Sequence, residues 1–238
     1  MTFAAAIESA LAQAMAADER IIIWGEDVQA MRMNLTTRFG EGRIKQAPIS
    51  EGAFVAAGVS AAMAGLRPVV EVMLVDFISV AMDAVMNQAA MVAAFTGGRW
   101  QVPLVVRASC GGGYGDAGQH EQSLWGLLAH IPGLSVMVPS TPADAGGLML
   151  AALEHPEPSI FLEHKLLADY WLDVMAGSWR KNVLFDIPDE GSSGPVPDKW
   201  EPTPFGKAAT RRAGDDLSII SVGVGVHRAL EAAETLAA

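Results

Sequence analysis

Short apolar runs rich in β-branched residues alternate along this chain with segments whose apolar side chains recur every three or four positions. No other feature limits the fold as much. Phe3, Ile7, Leu11 and Met15 fall on one helical face, and the polar run 17–20 ends that pattern. A strand follows over Ile21–Trp24 and closes on Gly25-Glu26-Asp27, where a parallel strand delivers polar residues to the edge of its sheet. The alternation then repeats: helix over Gly52–Ala64, strand over Pro68–Met73, helix over Phe77–Phe95, strand over Leu104–Arg107, a helix after His120, strand over Ser135–Val138, helix over Pro142–Glu154 and strand over Ser159–Glu163. Strands separated by helices predict βαβ units, that is, an α/β fold with a mostly parallel sheet and helices on both faces.

From about Ala168 to Phe205 the pattern dissolves into Pro, Gly, Ser and Asp, which is linker composition. The expected organisation is one domain over 1–175, a linker over 176–205, and over 206–238 the incomplete start of a C-terminal α/β domain, with a strand at Leu217–Val222 and a helix at Val226–Leu236. One strand and one helix cannot close a core of their own.

Composition narrows the function. The 16 Lys and Arg against 27 Asp and Glu leave a net charge of −11, which argues against nucleic acid as a partner. Hydrophobic residues reach 51%, so a large core or a large interface must be buried. The longest nearly nonpolar stretch, Phe54–Leu66, is too short to cross a bilayer, so no membrane is expected. The first segment lacks a basic start and carries Glu8, Asp18 and Glu19, unlike a secretory signal. A single cysteine, Cys110, fits a reducing cytoplasm.

In an open α/β sheet, ligands lie beyond the carboxyl ends of the strands, which singles out Gly25–Asp27, Pro48–Phe54, Met73–Phe77 and the glycine-rich loop over 111–123. Glu51 precedes a helix of Ala, Gly, Val and Met, where a carboxyl would enter an apolar pocket with a raised pKa and could donate a hydrogen bond to a heterocyclic nitrogen. On pattern alone it also fits a first-turn acid with Ser50 as cap. His120, after a glycine-rich loop, fits a general acid or base, or a polar residue at a helix start. Phe77 and Met73 could supply a face for a flat ring or simply pack in the core. Glu163 and His164 read as a crevice-rim or a surface pair, His130 as structural, and His155 and His227 as solvent-facing. The glycine loop fits neither a dinucleotide nor a phosphate loop, and no His or Cys pair stands at metal-ligand spacing.

Read together, GEDV (25–28), PISE (48–51), the segment 65–90, GQHEQS (118–123), HIPGL (130–134), VPSTPADA (138–145) and FLEHKLL (161–167) resemble the β subunit of the thiamine-diphosphate-dependent 2-oxoacid dehydrogenase first component, of the pyruvate, branched-chain and acetoin types. The likeness resumes at Thr203–Ala238, which resembles the opening of that family's C-terminal domain.

The resemblance implies a transketolase-like pyrimidine-binding fold with thiamine diphosphate as cofactor. Glu51 matches the glutamate that bonds N1′ of the aminopyrimidine and promotes the imino tautomer. Phe77 matches the aromatic residue on the pyrimidine, with Met73 close by, and His120 the active-site histidine that serves substrate or the acyl transfer to lipoyl. Glu26 matches an acid near the cofactor. The diphosphate and Mg²⁺ site of the family lies on an α subunit, so the resemblance implies an α2β2 heterotetramer, possible docking to a lipoyl acyltransferase core, and a 2-oxo acid or acetoin as substrate. EHPEP (154–158) alters a turn that holds a monovalent cation in that family, and no such ion is expected. Two rivals remain: a transketolase-like half acting on sugar phosphates, and a non-catalytic structural subunit.

Overall fold

The computed structural model describes residues 1–112, 118–168 and 191–237. The expected domain limit at 175, the linker residues 176–190 and the loop residues 113–117 lie outside the described residues.

The sheet has six strands, all parallel: β1 (Ile21–Gly25), β2 (Ile44–Gln46), β3 (Arg67–Leu74), β4 (Val105–Cys110), β5 (Ser135–Met137) and β6 (Ser159–His164), in the spatial order β2-β1-β3-β4-β6-β5. Successive side chains point to opposite faces. Val70, Val106 and Ile160 therefore belong to one core, while Val69, Val105 and Phe161 belong to the other. Helix α1 (Phe3–Ala17) and helix α7 (Pro142–Glu154) pack together over the second face. The first face is covered by helix α4 (Glu51–Met63) and by the segment after β3. Gly58 lets α4 approach that closely, because a Cβ there would lie 2.5 Å from Val70 Cγ2.

Two expectations are corrected. The segment after β3 is not one α-helix over 77–95. It is a 3-10 turn at Val75–Ala81, a π-helical stretch at Asp83–Ala89 and the short helix α5 (Val92–Phe95). Leu217–Val222 is not a strand: no strand among the described residues offers its backbone a ladder, and Ile220 is 94% exposed. Strand β2 and the helices α2 (Val28–Met31) and α3 (Met33–Phe39) carry too few residues to declare a period, and they enter only with the structure.

Helix α6 (Trp125–Ala129) follows the loop of His120. Helix α8 (Val224–Ala237) includes the expected helix 226–236. The part of the expected linker within 191–205 lies against α1: Gln13 donates to Trp200 O at 2.9 Å and accepts from Trp200 N at 3.0 Å, with the indole buried over Gly146. No single helix among the described residues is long and apolar enough to cross a membrane.

Candidate active site

Glu26 leaves the end of β1 and Glu51 opens α4, so both carboxyls stand at the carboxyl edge of the sheet. Asp27 turns the chain there with φ of 50°, a left-handed conformation that Asp tolerates. Glu51 is 7% exposed, in the first turn of its helix. Ser50 occupies the N-cap position but makes no side-chain capping bond. The Glu26 carboxyl is within hydrogen-bonding reach of Glu51. Burial first, and then the Glu51 charge, push its pKa up to about 6. Two carboxyls this close do not both ionise freely, so the pair holds a proton at mildly acid pH.

Met73 lies near the end of β3 and packs with Leu74, Phe77 and Ala168. Phe77 stands in the 3-10 turn that follows, and His120 meets it edge to face, with ring centroids 5.6 Å apart at 87°. The backbone fixes the histidine: Gly111 N donates to Gln122 O at 2.9 Å, and the buried Lys165 ammonium donates to the carbonyls of His120 and Gly111. Gly52, beside Glu51, approaches the Val80 carbonyl so closely that a Cβ would sit 3.3 Å from it, which ties the start of α4 to the turn carrying Phe77. The structure thus brings Glu26, Glu51, Met73, Phe77 and His120 to one edge, as a carboxyl pair and an aromatic pair.

Beneath that edge runs a buried ion chain that the sequence reading missed. Arg32 binds Glu71 at 2.9 Å, and Arg107 joins Glu71 at 3.0 Å to Glu163 at 2.9 Å. The surface-pair reading of Glu163 and His164 is corrected: Glu163 is committed to Arg107, and both residues are buried. Opposite charges in the middle of two apolar strands were the available signal, for Glu71 and Arg107 are register partners. Asp76 was also missed, and both its carboxylate oxygens are buried without a hydrogen-bond partner among the described residues.

The solvent-facing reading of His227 is corrected too: it is buried, with Nε2 2.6 Å from Ser140 O. His155 is half-buried and stacks edge to face on Phe205. Cys110 is buried, which pushes its thiol up to about 12 and makes it a poor nucleophile.

Residues 1–169 match the family model described as transketolase, pyrimidine binding domain. The chain is 38% identical over 98% of its length to the β subunit of acetoin:2,6-dichlorophenolindophenol oxidoreductase of Cupriavidus necator, covering 67% of that protein. It is 36% identical over 99% of its length to the 2-oxoisovalerate dehydrogenase β subunit of Bacillus subtilis, covering 68% of it. It is also 36% identical over its whole length to the pyruvate dehydrogenase E1 β subunit of Rhizobium meliloti, of which it covers 48%. The chain therefore spans between about half and about two thirds of these relatives. Among solved structures, a split-gene transketolase, in an inactive β4 tetramer, superposes with a TM-score of 0.57 at 17% identity over 69% of this chain and 51% of that one, a likeness of fold.

Proposed function

Because the chain belongs to the transketolase pyrimidine-binding family, and within it to the β subunits of acetoin and 2-oxoacid dehydrogenases, we propose that it binds the aminopyrimidine of thiamine diphosphate and serves a 2-oxo acid or acetoin dehydrogenase. The observation that carries this reading is the buried Glu51 carboxyl paired with the half-buried Glu26 at the sheet edge that also carries Phe77.

The residues fit such a ring. A flat heterocycle needs an apolar or aromatic face, which Phe77 and Met73 provide, and a proton donor or acceptor in its plane, which Glu51 provides. Thiamine diphosphate, when bound, supplies the electron sink for decarboxylation or carbon–carbon cleavage. Glu51 would present its carboxyl to a ring nitrogen, and Glu26, with its pKa of about 6, would share a proton with it. His120, at the rim and steadied by Phe77, presents an imidazole to the substrate or to the incoming acyl acceptor.

The choice between a 2-oxo acid and a sugar phosphate rests on the cations. Arg32 and Arg107 are committed to carboxylates, and Lys165 gives hydrogen bonds to carbonyls, so these three fit a substrate without a phosphate group. The diphosphate, its Mg²⁺ and half of the substrate pocket are assigned to an α subunit in an α2β2 assembly in the cytoplasm, with a lipoyl acyltransferase as a further partner.

Co-expression with an α-type partner tests the proposal. Glu51→Ala is expected to abolish dichlorophenolindophenol reduction driven by pyruvate, branched-chain 2-oxo acids or acetoin, and to weaken thiamine diphosphate binding by calorimetry. Near-normal turnover of that variant would overturn it.

A further inference from the structure

A small cavity of about 10 Å³, the room one water needs, is lined by Glu26 and by the buried ion chain. Glu26, Met73, Arg32, Glu71, Arg107 and Glu163 are among its lining residues. Two side-chain atoms of these residues are buried without a hydrogen-bond partner among the described residues: the acceptor Glu26 Oε1 and the donor Arg107 Nε. Arg107 is 2% exposed, and its other two nitrogens are spent, Nη1 donating to Glu71 at 3.0 Å and Nη2 to Glu163 at 2.9 Å. An orphan donor and an orphan acceptor on one water-sized cavity are complementary, and buried polar groups in folded proteins find partners.

We propose that one water accepts from Arg107 Nε and donates to Glu26 Oε1, which makes Arg107 a positioning residue for the Glu26–Glu51 pair. Its bearing on catalysis rests on the function proposed above. Its geometry does not. Arg32, Arg107, Glu71 and Glu163 together carry no net charge, so the chain acts on Glu26 through the directed hydrogen bond rather than through bulk potential. The groups facing Glu26 are Glu51 and Asp27, both acidic, and both raise its pKa. A water that donates to the Glu26 carboxylate works against them and biases the shared proton away from Glu26.

Two measurements on the full chain with its α-type partner test this without cofactor. A crystal structure that orders buried water is expected to show one within hydrogen-bond distance of both Arg107 Nε and Glu26 Oε1, and a dry cavity or a direct side-chain contact there overturns the proposal. In infrared titration, the protonated-carboxyl band that Glu26→Gln removes is expected to have its midpoint near pH 6. In Arg107→Lys, which keeps the charge and loses the Nε donor, the midpoint should rise by about one pH unit, the worth of one hydrogen bond to a charged group. A merely structural role would lower stability and leave the midpoint in place, which would also overturn the proposal. Should Arg107→Lys not fold, the crystallographic readout decides. Calorimetry with thiamine diphosphate on the same samples reports separately on the function, because its failure would leave both readouts intact.

Discussion

Burial alone would raise the pKa of Glu71, yet the charges of Arg32 and Arg107 overturn that effect and hold its carboxyl at about 2. His164 is the opposite case. Its ring packs under Gly111, which has φ of 85° and where a Cβ would lie 2.1 Å from Nε2, and its Nδ1 accepts from Leu166 N at 3.3 Å. Burial, then the Lys165 charge, lower it from 6.5 to about 4. Because both folded values lie below the unfolded ones, the unfolded chain binds more protons, and stability falls with pH: from 6.5 to about 4 for His164 and from 4.5 to about 2 for Glu71. Glu26 runs the other way, its folded value of about 6 adding stability as pH falls to 4.5, so it masks part of the His164 loss. The His164 effect is therefore read as a difference: in urea unfolding, wild type should lose about 3 kcal/mol relative to His164→Asn between pH 6.5 and 4. A pH-independent difference would show that the ring is not held neutral. Cys110, buried and at about 12, should resist iodoacetamide in the native chain at neutral pH and react fully in guanidinium; rapid native labelling would contradict its burial.

Helix α7 shows how an element is pinned at the sheet edge. Thr141 is extended at its N-cap and accepts from Asp144 N at 3.1 Å, and Pro142 opens the first turn, where no intrahelical donor is needed. Thr141→Ala should cost about 1 kcal/mol, read as a lowered Tm with unchanged far-ultraviolet dichroism. An unchanged Tm would mean that Asp144, held also by Ser140 Oγ at 2.9 Å, supports the turn without the cap.

Elements of this kind were legible in the sequence. The bounds of α7 are those read from the alternation of strands and helices, and five strands stood out because a parallel strand buried on both faces is a continuous apolar run. What failed needed tertiary information. Strand β2 has three residues and is defined by its ladder to β1, and Val75–Phe95 keeps helical spacing while its backbone winds as 3-10 and then π around the site. At the site, Glu51 was marked by its place before an apolar helix and His120 by its place after a glycine-rich loop. The Arg32–Glu71–Arg107–Glu163 chain was hidden because its members are distant in sequence and meet only when β3, β4 and β6 come into register.

At the scale of the whole molecule, stability is unevenly distributed. The central strands and the inward faces of the helices that cover them are buried, whereas every residue from 206 to 222 is exposed. Leu217, Ile219, Ile220 and Val222 lie open to solvent at 61%, 50%, 94% and 43%, a β-prone stretch with no ladder. Helix α8 and the turn before it are held lightly: Gly223 N donates to Val138 O at 3.3 Å, and His227 is the one buried side chain of α8. A single buried imidazole with one hydrogen bond is far less than the area a stable interface needs. Cleavage requires local opening, whose cost is near zero in an exposed strap and approaches the global stability in a buried strand. Trypsin should therefore cut after Lys207, Arg211 and Arg212 before it cuts after Arg20, Arg43, Arg67 or Arg107, and the fragment carrying α8 should separate from the sheet domain on gel filtration once the strap is cut. The ion pair of Arg211 with Asp144 is half exposed and adds too little to reverse that order. If mass spectrometry found the sheet cut first, or α8 co-eluting after cleavage, then the strap would have to be anchored by more than the contacts of Gly223 and His227.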